Sequence, residues 1–320
     1  MFKGVDFFPH GTKWKIIEKR WIFVGLSWAL AMLSAVLLLT RGLNYGVDFK
    51  GGSMIEVQAK SGAVDPASLR DTLGKLGLGE IQVQASGTNG ALIRVAQQRA
   101  ADEAAEAKAQ EAANVKIKEA LASSYDVRRT EVVGPAVSSE LKQTGIVAVI
   151  AAIFGIMLYV WFRFEWQFAV AAIVALVHDV FITVGMFSVL WYEFDLSVVA
   201  ALLTLAGYSI NDTVVVFDRI RENLRKYKKM PLNDLLNLSI NETLSRTVLT
   251  SVVTALAVLA LYIFGTSVIH GFAFAMLFGI VIGTYSSIFV ASPLLLWFGV
   301  KRDWSGNPDN AANKAAGAKV

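Results

Sequence analysis

A row of polar side chains interrupts an otherwise apolar stretch of the sequence at residues 197–217. Thr204, Tyr208, Asn211 and Asp212 follow a spacing of i, i+4, i+7 and i+8, which places them on one face of a helix. An ionisable group at the centre of a membrane helix costs about 2.5–3.5 kcal/mol and commonly has a function. We expect Asp212 to gain and lose a proton. The alternative is a carboxylate that bonds statically to a neighbour or reaches the membrane interface.

Three further ionisable residues accompany this carboxyl group. Arg246 begins the next apolar stretch at the same predicted depth, so it is either half of a movable Asp212–Arg246 proton gate or an ordinary basic flank. His178 and Asp179 lie near the middle of another apolar stretch. Neighbours on a helix point about 100° apart, so we expect these two side chains not to pair. They serve either a proton relay or structural hydrogen bonds between helices.

The composition is that of a membrane protein. Of the 320 residues, 55% are hydrophobic and only 18% are charged, whereas soluble domains carry about 25% charged residues. This balance excludes a cytosolic enzyme, a secreted domain and a nucleic-acid-binding protein. The sequence has no cysteine, no H-E-x-x-H zinc motif and no phosphate-binding P-loop motif. We therefore predict no catalytic residue, no metal and no cofactor.

Six apolar stretches are long enough to cross a bilayer, which takes about 20 residues of helix. They are residues 21–40, 144–162, 168–190, 197–217, 247–265 and 272–298. Lys and Arg are concentrated in residues 1–20, in the loop 218–246 and in the tail 299–320, and are absent from the two short loops on the opposite side. The positive-inside rule then places both termini in the cytoplasm and residues 41–143 outside.

The segment 41–143 is long enough to fold as a domain. Its pattern predicts strands at 53–59, 81–85, 91–95 and 126–133 and helices at 66–76 and 99–122. This order of strand, helix, strand, strand, helix and strand is that of an α+β ferredoxin-like domain. Residues 144–298 are predicted to form transmembrane helices two to six. The Ala-rich tail 299–320 is predicted to be disordered.

Two further patterns concern helix packing. Small residues recur at every fourth position of the sixth stretch, namely at Gly271, Ala275, Gly279, Gly283, Ser287 and Ala291. Such a ridge lets another helix approach closely, so we expect Gly279, Gly283 and Ser287 to pack against a neighbour. One helical face of the loop 218–246 carries Leu232, Leu235, Leu236, Ile240 and Leu244. This face predicts a helix in the membrane interface, beside basic residues that attract anionic lipids.

Five strings of residues, in this order, resemble the SecD/SecF family of protein-export membrane proteins. They are N-Y-G-V-D-F-K-G-G at 44–52, V-G-P at 133–135, F-R-F-E-W at 162–166, G-Y-S-I-N-D-T-V-V-V-F-D-R-I-R-E-N at 207–223 and L-S-R-T at 244–247. The resemblance runs from about residue 15 to residue 302, and the fourth string is the most specific. Length favours the SecF side of the family, because the SecD side carries a much larger outer region.

The resemblance implies a role in protein export at the bacterial inner membrane. SecF belongs to the proton-driven RND superfamily, pairs with SecD, associates with the SecYEG channel and often with YajC and YidC, and uses the proton-motive force in late preprotein translocation. The proton-path residues of the family correspond to Asp212 and Arg246. Its Gly-Gly pair corresponds to Gly51 and Gly52, which we expect to form a hinge of the outer domain. Membrane lipids are expected contacts, and nucleic acid is not.

Two other functions fit the same features. The chain could be half of a proton-driven RND exporter of small amphiphiles, although an outer domain of about 100 residues leaves little room for a substrate pocket. It could also be a non-transporting assembly factor of the translocon. In that case charge-neutral substitutions at Asp212 would be silent, while changes to the ridge at Gly283 would be severe.

Overall fold

The computed structural model describes residues 12–300, which form a helical bundle and one small domain. Most of the tail that is predicted to be disordered, residues 301–320, lies outside the described residues. In chain order the elements are α1 (Arg20–Thr40), β1 (Asn44–Tyr45), α2 (Val47–Lys50), β2 (Gly52–Ala59), α3 (Pro66–Gly74), β3 (Ile81–Ser86), β4 (Gly90–Val95), α4 (Glu103–Leu121), β5 (Tyr125–Val133), α5 (Pro135–Arg163), α6 (Trp166–Leu190), β6 (Glu193–Phe194), α7 (Leu196–Lys226), α8 (Leu232–Phe264), α9 (Ser267–Ser286) and α10 (Ser292–Trp297).

Six helical segments of the described chain are long and apolar enough to cross a membrane, which confirms a polytopic helical membrane protein. They are α1, α5, α6, α7, α8 and the continuous segment of α9 and α10. The helices α6, α7 and α9 form the centre of the bundle, because at least 50% of their most apolar windows is buried. The helices α1, α5 and α8 bury at most 11% of theirs and lie at the periphery. Their exposed faces are available to lipid or to another chain.

Several helices extend beyond the apolar stretches that mark them in the sequence. The helix α5 begins at Pro135 rather than at residue 144, and α7 continues to Lys226 rather than ending at residue 217. Pro135 suits the first position of a helix, since its missing N–H would have no partner there. Hydropathy locates only the part of a helix that is predicted to lie in lipid, so the polar turns beyond that part escape it.

The prediction of a separate interfacial helix in the loop 218–246 is wrong. Pro231 does interrupt the chain, but α8 then runs without a break from Leu232 to Phe264. The apolar face of its first turns is buried against the bundle, with Leu235, Leu236 and Ile240 all 0% exposed. An amphipathic pattern shows which face of a helix is buried, but not whether lipid or protein covers that face. Here the face is covered by the other helices of the bundle.

The small domain contains a four-stranded antiparallel sheet in the order β3-β4-β2-β5. Its elements follow the sequence order strand, helix, strand, strand, helix, strand, with α3 and α4 as the two helices. The side chains of β2 alternate, so Ile55 and Val57 are fully buried. Leu73 of α3 and Ile117 of α4 belong to the same buried cluster. Both helices therefore cover the same apolar face of the sheet.

The domain is joined to the bundle by contacts that the sequence does not predict. Asn44 and Tyr45 of β1 pair in parallel with Glu193 and Phe194 of β6, which lies between α6 and α7. Arg94 of β4 forms an ion pair with Glu193. Burial lowers the pKa of the Arg94 guanidinium to about 10, an effect that nearby Asp195 opposes. This half-buried pair joins the sheet to β6, just before the start of α7.

Asp195 caps the start of α7 at this junction. Its Oδ1 accepts hydrogen bonds from Val198 N at 2.9 Å and from Ser197 Oγ at 2.6 Å. Burial raises the pKa of the Asp195 carboxyl, and these two hydrogen bonds oppose the rise. Asp48 of α2 accepts a hydrogen bond from Leu196 N at 2.9 Å. The first turn of α7 is thus held by residues from both sides of the junction.

Candidate functional site

The centre of the bundle holds a buried carboxylate, Asp179 of α6, whose side chain is 0% exposed. Its Oδ2 accepts hydrogen bonds from Ser209 Oγ of α7 at 2.6 Å and from Ser286 Oγ of α9 at 2.7 Å. A carboxylate removed from water requires donors that replace the water. The network at Asp179 therefore joins the three central helices at one point.

The other oxygen of Asp179 contacts its neighbour in the chain. His178 Nδ1 lies 2.9 Å from Asp179 Oδ1. The prediction that these two side chains do not pair is therefore wrong. It rested on the directions in which the side chains leave the helix, but Nδ1 lies near the backbone and a short carboxylate can turn toward it. In the part of the chain that the structure describes, the buried His178 Nε2 has no hydrogen-bond partner.

The second buried carboxylate, Asp212 of α7, is 2% exposed. Ser251 Oγ of α8 donates to its Oδ2 at 3.2 Å, and the same hydroxyl lies 2.7 Å from Thr284 Oγ1 of α9. Among the described residues, Ser251 is the side-chain donor to Asp212, at a longer distance than any bond to the Asp179 carboxylate. A carboxylate with free acceptor positions can exchange a proton while breaking fewer bonds.

Arg246 lies near this second carboxylate without touching it. Its side chain is exposed on α8, close enough for its charge to act on Asp212. Within residues 12–300, however, no direct hydrogen bond or ion pair joins the two side chains. The structure brings the two predicted proton-path residues into one region, but in the described chain their side chains do not bond to each other directly.

The predicted polar stripe on α7 divides between two environments. Asp212 is buried, whereas Thr204 and Asn211 are exposed on the surface of this chain. Tyr208 is half-buried, and its hydroxyl group is enclosed without a hydrogen-bond partner among the described residues. Polar groups on the outside of a membrane helix are expensive in lipid. This face of α7 therefore requires water or another protein chain beside it.

The ridge of small residues on α9 faces α7. A Cβ atom added to Gly283 would lie 3.1 Å from Ser209 Cβ, and one added to Gly279 would overlap the side chain of Leu205. Ser287 Oγ lies 2.9 Å from Thr213 Oγ1, also on α7. Each of the three residues predicted to pack thus meets the same helix.

The helix changes its winding at the last two positions of this ridge. Residues Ser287–Ala291 form a π-helical turn between α9 and α10. Pro293, in the first turn of α10, has no backbone N–H and so cannot continue a regular α-helical ladder. Ser292 Oγ donates to the Ser287 carbonyl at 3.0 Å. Such turns often mark functional positions in helices, and this one adjoins Ser286.

Sequence reasoning missed the hydroxyl groups that complete both networks. They belong to Ser209, Thr213, Ser251, Thr284 and Ser286. A lone Ser or Thr in a membrane helix commonly bonds to a carbonyl of its own helix, so its type does not reveal a contact across helices. One signal was present, because Ser209 and Thr213 are four residues apart, on one helical face, and lie three residues before and one residue after Asp212.

These groups can accept, donate and pass protons. Two carboxylates, an imidazole and several hydroxyl groups lie within the central helices, and each of these groups can donate or accept a hydrogen bond according to its protonation. In the described part of the chain, no three His, Asp or Glu side chains lie together in a way that could hold a metal ion. The arrangement thus contains several groups that could exchange protons with one another.

Gly51 lies between α2 and β2, Gly52 is the first residue of β2, and both are buried. Gly51 has φ 74° and ψ 169°, a conformation that is essentially restricted to glycine. Gly52 has φ 116°, and a Cβ atom there would overlap the backbone carbonyl oxygen of Val95. Both positions therefore favour glycine because of their backbone conformation, and Gly52 does so also because the Val95 backbone packs closely against it.

We expect Gly52→Ala to destabilise the small domain by about 1–3 kcal/mol, because it combines a strained φ with a backbone overlap. Thermal unfolding of the purified full chain, followed by circular dichroism, measures the loss. Gly134→Ala is the matched control, since Gly134 has φ −74° and no atom within 4 Å of an added Cβ. Equal unfolding temperatures for the two variants would contradict the prediction.

Comparison with known proteins shows which family the chain belongs to. Residues 113–301 match the family described as protein export membrane protein SecD/SecF, C-terminal, and residues 36–63 match the SecD/SecF GG motif. The chain belongs to the SecD/SecF family. The GG-motif match contains Gly51 and Gly52, and the longer SecD/SecF match contains both buried carboxylates.

Individual SecD/SecF relatives cover nearly the whole chain. Protein translocase subunit SecF of Rhodobacter capsulatus is 46% identical over 92% of each chain, and that of Cereibacter sphaeroides is 47% identical over 87% of each. Protein translocase subunit SecDF of Brucella abortus is 44% identical, but the present chain spans only 38% of its length. The crystal structure of SecDF from Thermus thermophilus, a translocon-associated membrane protein, gives a TM-score of 0.80 at 38% identity and covers 90% of this chain and 39% of that one.

Proposed function

We propose that this chain is a SecF-type subunit of a protein-export translocase that uses the proton-motive force to drive late preprotein translocation across the inner membrane. The names of its relatives support the translocase role. The observation that carries the proton-coupled part is the position of Asp212. It is a buried carboxylate whose side-chain donor among the described residues is Ser251 at 3.2 Å, and Thr204 and Asn211 on the same helix are exposed.

The exposed polar face of α7 supports pairing with a SecD-type half. Thr204 and Asn211 lie on this face, with the unpartnered hydroxyl of Tyr208 beside them. The longer SecDF relatives contain more than the region that matches this chain. In our proposal the partner half covers the polar face and completes the proton path. The SecYEG channel, YajC, YidC and the translocating preprotein are further proposed partners, and lipid surrounds the remaining faces.

Protonation of Asp212 would change how the central helices pack. A neutral carboxyl loses its attraction to the charge of Arg246 and accepts a weaker hydrogen bond from Ser251. Asp212 lies on the same helix as Asp195, so a shift of α7 reaches the junction with the small domain. One elementary charge that crosses 100 mV supplies about 2.3 kcal/mol, which is enough to bias such a shift. His178 and Asp179 extend the proposed relay across the bundle.

We assign the small domain to residues 41–143, propose a ferredoxin-like fold for it and place it on the periplasmic side. The strand order β3-β4-β2-β5 and the two helices on one sheet face support this fold. The proposed cytoplasmic position of both termini rests on the basic residues at 1–20 and in the loop 218–246. Gly51 and Gly52 are the proposed hinge, because Gly51 follows α2 directly and Gly52 begins β2.

Export measured in inverted membrane vesicles tests this function. Vesicles that lack the chain should complete preprotein export with ATP but gain little from an added proton gradient. Restoring the chain together with its SecD-type partner should bring the gradient-dependent gain back. A gain of equal size in vesicles without the chain would refute proton-coupled translocation and leave a role in assembly.

A further inference from the structure

A cleft with a volume of about 250 Å³ lies between α5 and α7, at the end of the bundle next to the small domain. We call it the α5 cleft. Its walls include Val149 of α5, Val180 of α6, and Val199 and Leu202 of α7. Every other lining residue except Tyr45 and Lys142 is also apolar. The cleft is therefore suited to a hydrocarbon chain rather than to a polar solute.

The α5 cleft is open toward the space that lipid occupies in a membrane. The helix α5 touches α7 through Gly145, where an added Cβ atom would lie 3.8 Å from Val199 Cγ1. Beyond this contact the helix is exposed, with Ile146 at 55% and Ile150 at 62%. A hydrocarbon chain can thus enter from the side, without passing through water.

The rim of the α5 cleft carries one cation and a group of aromatic rings. Tyr45, Phe49 and Phe194 lie with their ring centroids 6.1–6.2 Å apart. The Lys142 side chain is exposed, and its Nζ lies 5.3 Å from the centroid of the Tyr45 ring. Within the described chain Lys142 makes no ion pair. Aromatic rings and a lysine that extends to the interface are typical of the headgroup level of a bilayer.

We propose that the α5 cleft binds one acyl chain of an anionic phospholipid, whose phosphate lies at Lys142. Lipid touches every exposed helix face. What distinguishes the α5 cleft in this proposal is a preference for lipids with an anionic headgroup. The apolar walls hold the chain and the unpaired lysine selects the charge. Phe49, which lines the cleft, belongs to α2 just before the two glycines, so the bound lipid contacts the connection to the small domain.

A second cleft on α5 provides an internal control. It has a volume of about 270 Å³, lies between α5 and α6 at the opposite end of the bundle, and is lined by residues that include Trp161, Trp166 and Val170. Its lining contains no charged residue. Acyl chains that enter this cleft should show no preference for an anionic headgroup.

Photo-crosslinking with defined lipids tests the proposal. The full chain, purified with its partner subunit, is placed in nanodiscs that contain trace phosphatidylglycerol or phosphatidylcholine with the same diazirine-bearing acyl chain. Peptide mapping should show about fivefold more label at the α5 cleft with phosphatidylglycerol, the preference expected for one lysine at an anionic surface. Lys142→Gln should remove this preference and Lys142→Arg should keep it. Val149→Phe should lower the labelling with both lipids, whereas Val170→Phe in the second cleft should not.

Two results would overturn the proposal. The first is equal labelling of the α5 cleft by both headgroups in the unaltered chain. The second is a preference for phosphatidylglycerol that Lys142→Gln leaves unchanged, which would mean that Lys142 does not select the headgroup. Neither readout depends on proton coupling, so the lipid proposal and the proposed function can fail separately.

Discussion

Asp212→Asn should abolish the part of preprotein export that depends on the proton gradient, while the ATP-driven part continues. The amide is nearly the same size as the carboxyl group and can still accept a hydrogen bond from Ser251, so the packing of α7 is kept. It cannot gain or lose a proton at physiological pH. Export from inverted vesicles at fixed ATP, with and without a gradient, measures both parts at equal protein abundance.

Two variants separate the chemistry of Asp212 from its packing. Asp234→Asn is the matched control, because Asp234 is an exposed carboxylate at the start of α8 and should keep the full gradient response. Asp212→Glu restores an ionisable group and should recover part of the response. Co-purification with the SecD-type partner shows whether the complex remains intact. A full gradient response in Asp212→Asn would remove this residue from the proton path.

The transmembrane helices could be predicted from the sequence, because the lipid environment restricts which residues can form them. A membrane helix must bury its backbone polar groups within itself and show apolar side chains, so six helices follow from six apolar runs. The sheet of the small domain is similarly visible, because Ile55 and Val57 alternate with half-buried residues. The contact of β1 with β6 is not visible, because each strand has two residues and no pattern can form over that length.

The sequence predicted the charged residues of the candidate site but not the hydrogen bonds that connect them. Asp179 and Asp212 are conspicuous because carboxylates are rare in apolar runs. Their partners are hydroxyl groups, which fit both the core of a bundle and the surface of a membrane helix. Which of these groups reach a carboxylate depends on how α6, α7 and α9 are rotated about their axes. That rotation is set by packing at positions such as Gly279, which connects the small-residue ridge to the two buried carboxylates.

Gly279→Leu should therefore disturb the site from a distance. A side chain at this position overlaps Leu205, so α9 and α7 must separate, and overpacking of this kind costs about 1–3 kcal/mol. The unfolding temperature of the purified chain should fall, and gradient-dependent export should fall with it. Gly155→Leu on α5 is the matched control, because nothing lies within 4 Å of an added Cβ atom there.

Combining Gly279→Leu with Leu205→Ala gives the decisive comparison. If close contact between α9 and α7 is what positions the hydroxyl groups of Ser209 and Ser286, the smaller residue should make room for the larger one and restore both stability and gradient response. Restored stability without a restored response would separate packing from proton coupling. A double variant that is no more stable than Gly279→Leu alone would show that the two residues do not meet in the membrane.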